Sequence, residues 1–162
     1  MLTDPQLQTL AAALRASTDP VVVEALAIRN DMALADWCNL PSTFIVWRTN
    51  VTQDEIQLNG FDWVMVDNLT VGKARIWEWL FNNQNRAINP SKANVRAGID
   101  ECWKGTAAML AVRAAVYLHL KRAATNAEAL FATGTGTDAT PGALGFEGNL
   151  GHPDVSQALN RF

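Results

Sequence analysis

Only two cysteines, Cys38 and Cys102, occur in the 162 residues. Two thiols in a chain this long are no disulfide framework, and a reduced, intracellular setting is the simpler expectation. No apolar run reaches the roughly 18 residues that a membrane span requires, so no membrane partner is expected. The opening stretch MLTDPQLQTL lacks a basic segment followed by an apolar one, and no secretory signal is read there. The Asn-X-Thr patterns at Asn50 and Asn68 therefore carry no glycosylation reading.

Catalytic signatures are equally scarce. Zinc sites need clustered ligands, and Cys38, Cys102, His119 and His152 lie far apart with no pair at ligand spacing. The segment VGKA (71–74) has the look of the end of a phosphate-binding loop. That loop needs a glycine five residues earlier and a Ser or Thr after the lysine, where this chain has Asp67 and Ala74. GTGT (134–137) offers backbone amides but no lysine and no amphipathic helix after it. Asp100 and Glu101 are neighbours on a helix and so do not share a face. Nothing resembles a nucleophile elbow. No catalytic residue, cofactor site or metal site is expected, and the chain is not read as an enzyme.

What is present is a helical pattern. Nearly half of the residues are apolar and 18% are charged, which fits one globular domain. Thr3-Asp4-Pro5 starts a helix with Leu7, Leu10, Ala11 and Leu14 on one face. A second helix is predicted from about Pro20 to Trp37, with Asn30-Asp31 as a break. TFIVWRTNV (43–51) has strand composition, and FDWVMVDN (61–68) reads as a second strand or extended piece, the two forming a hairpin-like patch. Between them Thr52 and Glu55 form a capping box for a short helix to about Leu58, closed by Asn59-Gly60. Thr70 starts a helix through Leu80 and Phe81. Val95, Ile99, Cys102 and Trp103 mark another, closed by Gly105. Thr106 caps the longest, whose stripe runs from Met109 to Leu130 across a capping box and kink at Thr125–Glu128. Pro153 starts a short C-terminal helix.

The predicted fold is mainly α: a bundle of four to five helices over residues 1–132, with an extended or β insertion at about 43–66. Residues 133–162 form a glycine-rich C-terminal arm with little core of its own. Charge is unevenly spread. Residues 1–72 carry three basic and nine acidic groups, residues 73–122 nine basic and three acidic, and residues 123–162 one basic and four acidic. Such a dipole steers head-to-tail association or turns a basic face to a polyanion. Six tryptophans are present. Trp77 and Trp79 point to different faces of one helix, so one of them is expected at a surface or subunit contact.

Three stretches carry a resemblance to a family of small virion proteins encoded among the morphogenesis genes of tailed bacteriophages. They are DPVVVEALAIRNDMALADWCN (19–39), FIVWRT (44–49) and LFATGTGTDATPGALGFEGNL (130–150). Their order and spacing span most of the chain, while the tryptophan-bearing stretch around 61–88 departs from the pattern. In size and layout the chain is similar to head-to-tail connector, or adaptor, proteins. The resemblance implies a virion location and a ring, commonly of twelve subunits, below the portal. It implies a C-terminal arm that docks the portal or another connector or tail protein. Leu144, Phe146 and Leu150 are the expected arm contacts, with Trp77 and Trp79 as candidates for subunit contacts. Alternatives are another tail or minor head component, such as a tail terminator, or a DNA-binding protein using residues 73–122, the region that would meet packaged DNA.

Overall fold

A computed structural model describes residues 2–58 and 61–162. Among them are ten helices and four short strands. The chain divides into two compact units, Met1–Val46 with Ala123–Phe162, and Trp47–Arg122. No helix among the described residues is long and apolar enough to cross a membrane.

The first unit begins with α1 (Asp4–Ala16), which buries Leu7, Leu10, Ala11 and Leu14. The Gln6 carboxamide reaches back to accept from Thr3 N at 2.9 Å. The segment expected as one helix from Pro20 is two, α2 (Pro20–Ala27) and α3 (Asp31–Asn39). The break falls close to the expected one. Arg29 adopts φ 54, outside helical space, and Asn30 Oδ1 accepts from Ala33 N at 3.1 Å to cap α3. Strand β1 (Pro41–Trp47) follows.

Strand β1 departs from the expected hairpin. It makes no hairpin with 61–68; it pairs with β4 (Lys121–Thr125), far along the chain. Ser42 Oγ donates to Ala124 O at 2.9 Å beside that ladder. The same pairing breaks the expected long helix. The stripe from Met109 to Leu130 is not one kinked helix, because β4 interrupts it. Thr125 is extended (φ −70, ψ 166) as an N-cap must be. Its capping box with Glu128 therefore starts a new helix, α9 (Asn126–Phe131), instead of bending an old one.

The chain ends in α10 (His152–Arg161), with Pro153 in its first turn as expected. Here the arm reading is corrected. Helix α10 packs on α1 and α3. Leu150, Val155 and Ala158 are buried in the same core as Leu7, Leu10, Leu14, Val22, Leu34 and Cys38. The residues after 133 supply core to their own unit.

The second unit contains β2 (Val51–Thr52), α4 (Gln53–Leu58), α5 (Val64–Asp67), α6 (Val71–Leu80), β3 (Ala87–Ile88), α7 (Ala93–Cys102) and α8 (Ala107–His119). The Thr52 capping box forms as read: Thr52 N donates to Glu55 Oε2 at 2.8 Å, and Glu55 N to Thr52 Oγ1 at 3.2 Å. The expected stop at Asn59-Gly60 lies outside the described residues. Residues 61–68 are not extended. Asp62 Oδ1 accepts from Val64 N at 3.0 Å, an Asx turn that leads into the single turn of α5. Strand β2 instead pairs antiparallel with β3, Val51 opposite Ile88 and Thr52 opposite Ala87. Two helical cores thus replace the single bundle of four to five helices.

The second core is aromatic. Trp77 stacks on Phe61 at 5.9 Å and meets Phe81 and Trp103 edge-on at 5.1 and 5.3 Å. Edge and offset geometries satisfy the ring quadrupoles. The Trp103 indole N–H is buried with no hydrogen-bond partner among the described residues.

Candidate interaction surfaces

The glycine-rich segment is shaped by its own unit. Ile45 N donates to Gly136 O at 2.7 Å, and Gly142 N donates to Ile45 O at 2.8 Å. The segment thereby runs along β1, with Gly142 bridged to Val46 in parallel. Thr133 and Ala143 exchange two backbone bonds of 2.9 Å, closing the base of the loop. The Phe44 ring fills the space between the strand and the loop. A Cβ on Gly136 would stand 2.2 Å from that ring, and one on Gly142 would stand 2.4 Å from it. Gly136 also has φ 65, where a side chain is strained. These two glycines are present because an aromatic ring occupies the place of their side chains. The Thr135, Thr137 and Thr140 hydroxyls bond one another at the loop tip.

Two polar side chains tie the loop down further. Glu128, 2% exposed, accepts from Gly148 N at 3.2 Å through one oxygen and from Thr125 N at 3.0 Å through the other. A buried carboxylate is tolerated because backbone donors replace its water. Asn39 holds Leu150 through both its amide atoms.

The residues expected to bind partners are divided between the two units. Leu150 is buried in the first core, so it is not offered to a partner. Leu144 and Phe146 are half-buried, and Phe146 rests edge-on against Phe131 at 5.8 Å. Trp77 is buried within the aromatic cluster of the second unit, whereas Trp79 is 69% exposed. The two tryptophans do occupy different faces of α6, and Trp79 is the one left outside.

Other large apolar groups are also exposed. On the second unit these include Trp63, Val64 and Val71, and on the first Val21, Val23, Ile28 and Met32. Trp63 leans edge-on against Phe61. Trp79 makes no ring contact among the described residues. The first unit also has an apolar groove that sequence patterning gave no sign of. It is a cavity of about 230 Å3 between α1, α3 and α9, lined chiefly by Leu10, Leu14, Trp37, Cys38, Ala127 and Leu130. The Trp37 indole N–H donates to Asp19 Oδ2 at 3.0 Å, and Asn126 Nδ2 donates to Trp37 O at 2.9 Å, so this wall is fixed. Helical spacing says which residues face inward; it does not say where three helices fail to close.

Burial decides the thiol chemistry. It pushes Cys38 up to about 11 and Cys102 likewise up to about 11, so both are thiols, not thiolates, near neutrality. Cys102 Sγ also donates to Lys73 O at 3.4 Å. Tyr117 is pushed up to about 12 by burial and by its hydrogen bond to Asp100. Glu55 is held down to about 2, chiefly by the Thr52 backbone N–H and then by Arg48. Arg48 lies 2.6 Å from Glu55 Oε1 and donates to His119 O at 3.1 Å. It joins the start of α4 to the end of α8, a structural task. Among the described residues, no group of three or more His, Cys, Asp and Glu side chains is placed to hold a metal ion.

The basic residues of 73–122 are partly occupied by their own unit. Lys73 Nζ donates to Lys104 O, Lys104 pairs with Glu101 and Arg113 pairs with Asp100. Arg96 donates to Pro90 O and Ser91 O and lies over the Trp47 ring, its guanidinium carbon 4.5 Å from the ring centre. No protein-family model, no curated protein sequence and no solved structure matches the chain.

Proposed function

We propose that this chain is a structural virion protein, a head-to-tail connector that assembles with copies of itself and attaches to the portal. The observation that carries this reading is the 69% exposure of Trp79 next to the fully packed Trp77. A core that already takes Trp77 and Trp103 excludes Trp79, and a bare indole on a surface favours association. The resemblance in 19–39, 44–49 and 130–150 supplies the kind of assembly. The loop between Thr133 and Gly151 serves as a preformed surface, with Leu144 and Phe146 half-accessible on it. Attachment through a preformed loop avoids the roughly 2–5 kcal/mol that ordering a disordered arm costs.

The purified full chain, mixed with the portal protein of the phage that encodes it and imaged by negative stain, should give closed rings seated on the portal. Rings at the distal end of tails would favour a tail-terminator role instead. Neither rings nor portal binding would remove the connector reading. The DNA-binding alternative is the weaker one, because Lys73, Arg96, Lys104 and Arg113 already have partners in their own unit.

A further inference from the structure

The two units are oppositely charged, and each has apolar surface that its own core leaves unfilled. The first unit contains nine acidic and three basic residues, net −6, and the second seven acidic and ten basic, net +3. The basic unit of one copy therefore attracts the acidic unit of the next. The first unit holds the groove between α1, α3 and α9. Its volume, about 230 Å3, is below the roughly 300 Å3 at which small-molecule sites begin. It suits one large side chain rather than a ligand. The Asp19 carboxylate, bonded to Trp37, lies beside it. The second unit exposes Trp79. Arg75 stands one turn before it on α6, and Arg86 borders the same hollow as Trp79, with Glu78 as the acidic neighbour there.

We propose that the groove of one copy receives the Trp79 ring of a second copy, and that this contact repeats head to tail. The inference rests on the reading that the chain assembles with itself, and it adds the residues and the polarity of the contact. An indole bordered by arginines enters an apolar slot on an acidic unit. The match is of shape class and of sign. Because the two surfaces differ, the contact is heterologous, and each open end keeps one free groove or one free tryptophan.

Sedimentation of the full chain over a concentration series tests this. The wild type should self-associate at low salt and more weakly as salt rises. Trp79→Ala, at an exposed position, should weaken association at least about tenfold. Trp79→Glu should weaken it further, since it brings a negative charge to an acidic unit. Ala13→Phe, at a half-buried position lining the groove, should fill the slot and give the same loss. Mixing Trp79→Ala with Ala13→Phe restores one intact tryptophan facing one intact groove. That mixture should form a one-to-one dimer that neither variant forms alone. Self-association unchanged by both Trp79 variants overturns the proposal. So does a mixture no better than its parts, or a wild type that stays monomeric at low salt. Rings that persist on the portal despite Trp79→Glu would overturn this contact alone and leave the connector reading standing. A chain that neither self-associates nor binds a virion partner would remove both.

Discussion

Asn39 and Leu150 exchange two hydrogen bonds across 111 residues of sequence: Asn39 Nδ2 donates to Leu150 O at 2.8 Å, and Leu150 N donates to Asn39 Oδ1 at 2.9 Å. The side-chain amide copies the pairing of a strand neighbour. It meets the backbone needs of the residue that leads the chain into α10. Asn39→Ala leaves both Leu150 groups without partners in a part-buried place. The expected cost is about 1–3 kcal/mol, read as a lower urea midpoint. Amide exchange should accelerate at Leu150 and through α10 before it does so in the second unit. Unchanged protection at Leu150 in Asn39→Ala would contradict this.

The glycine-rich loop makes a sharper prediction. Gly136→Ala places a methyl against the Phe44 ring, at a backbone φ of 65. Overpacking and the disfavoured dihedral together should cost about 1–3 kcal/mol. Phe44→Ala alone should also destabilise, because it removes the ring that fills the loop. In the double variant the two losses should not add, since the methyl then meets empty space. A coupling of at least about 0.5 kcal/mol in the mutant cycle is expected. Strict additivity would mean that the loop does not rest on Phe44.

Much of this local chemistry was legible in the sequence, and the reason is range. Capping at Thr52, Thr70, Thr106 and Thr125, the break near Asn30 and the proline start of α10 depend on residues three or four apart. The different faces of Trp77 and Trp79 follow from helical geometry alone. The misreadings concern partners far along the chain. β1 has strand composition, but its mate is β4, hidden within an apolar stripe of helical period. FDWVMVDN has strand composition too, yet an Asx turn at Asp62 leads it into a helical turn. The glycines at 136 and 142 look like those of a flexible arm. Only the position of Phe44, some ninety residues earlier, shows that they are contact glycines. The groove was illegible for a related reason: Leu10, Leu14, Trp37, Ala127 and Leu130, which line it, obey the helix pattern and read as ordinary core.

The Glu55 carboxylate sets a pH dependence. Its pKa is lowered from an ordinary 4.5 to about 2, so the folded state binds its proton less readily than the unfolded state. The stability that it contributes is complete above about 4.5 and is lost as pH falls from there toward 2. Glu55→Gln keeps one acceptor oxygen, where the carboxylate offers Oε1 to Arg48 and Oε2 to Thr52 N, and it has no charge to titrate. The stability gap between wild type and Glu55→Gln, from urea midpoints, should be constant near neutrality and narrow below about pH 4.5. The side chain is 38% exposed, so solvent screens the ion pair and keeps the gap modest. A gap that widens on acidification would reverse the sign and refute the assignment.

The two cysteines give a test that reads both units separately. Cys38 belongs to the first core and Cys102 to the second, and both are fully buried. Burial raises both pKa values to about 11, so access and ionisation both oppose reaction near neutrality. Neither thiol should react with a disulfide reagent at pH 7–8 in the native chain, and both should react at once in denaturant. At low denaturant the labelling rates report the opening of each core. Cys38→Ser and Cys102→Ser leave one reporter apiece. In an Asn39→Ala background, labelling of Cys38 should speed up while Cys102 keeps its rate, because the Leu150 clamp belongs to the core that holds Cys38. Equal acceleration at both sites would mean that the two units open together, and that the loss of the clamp is felt throughout the chain.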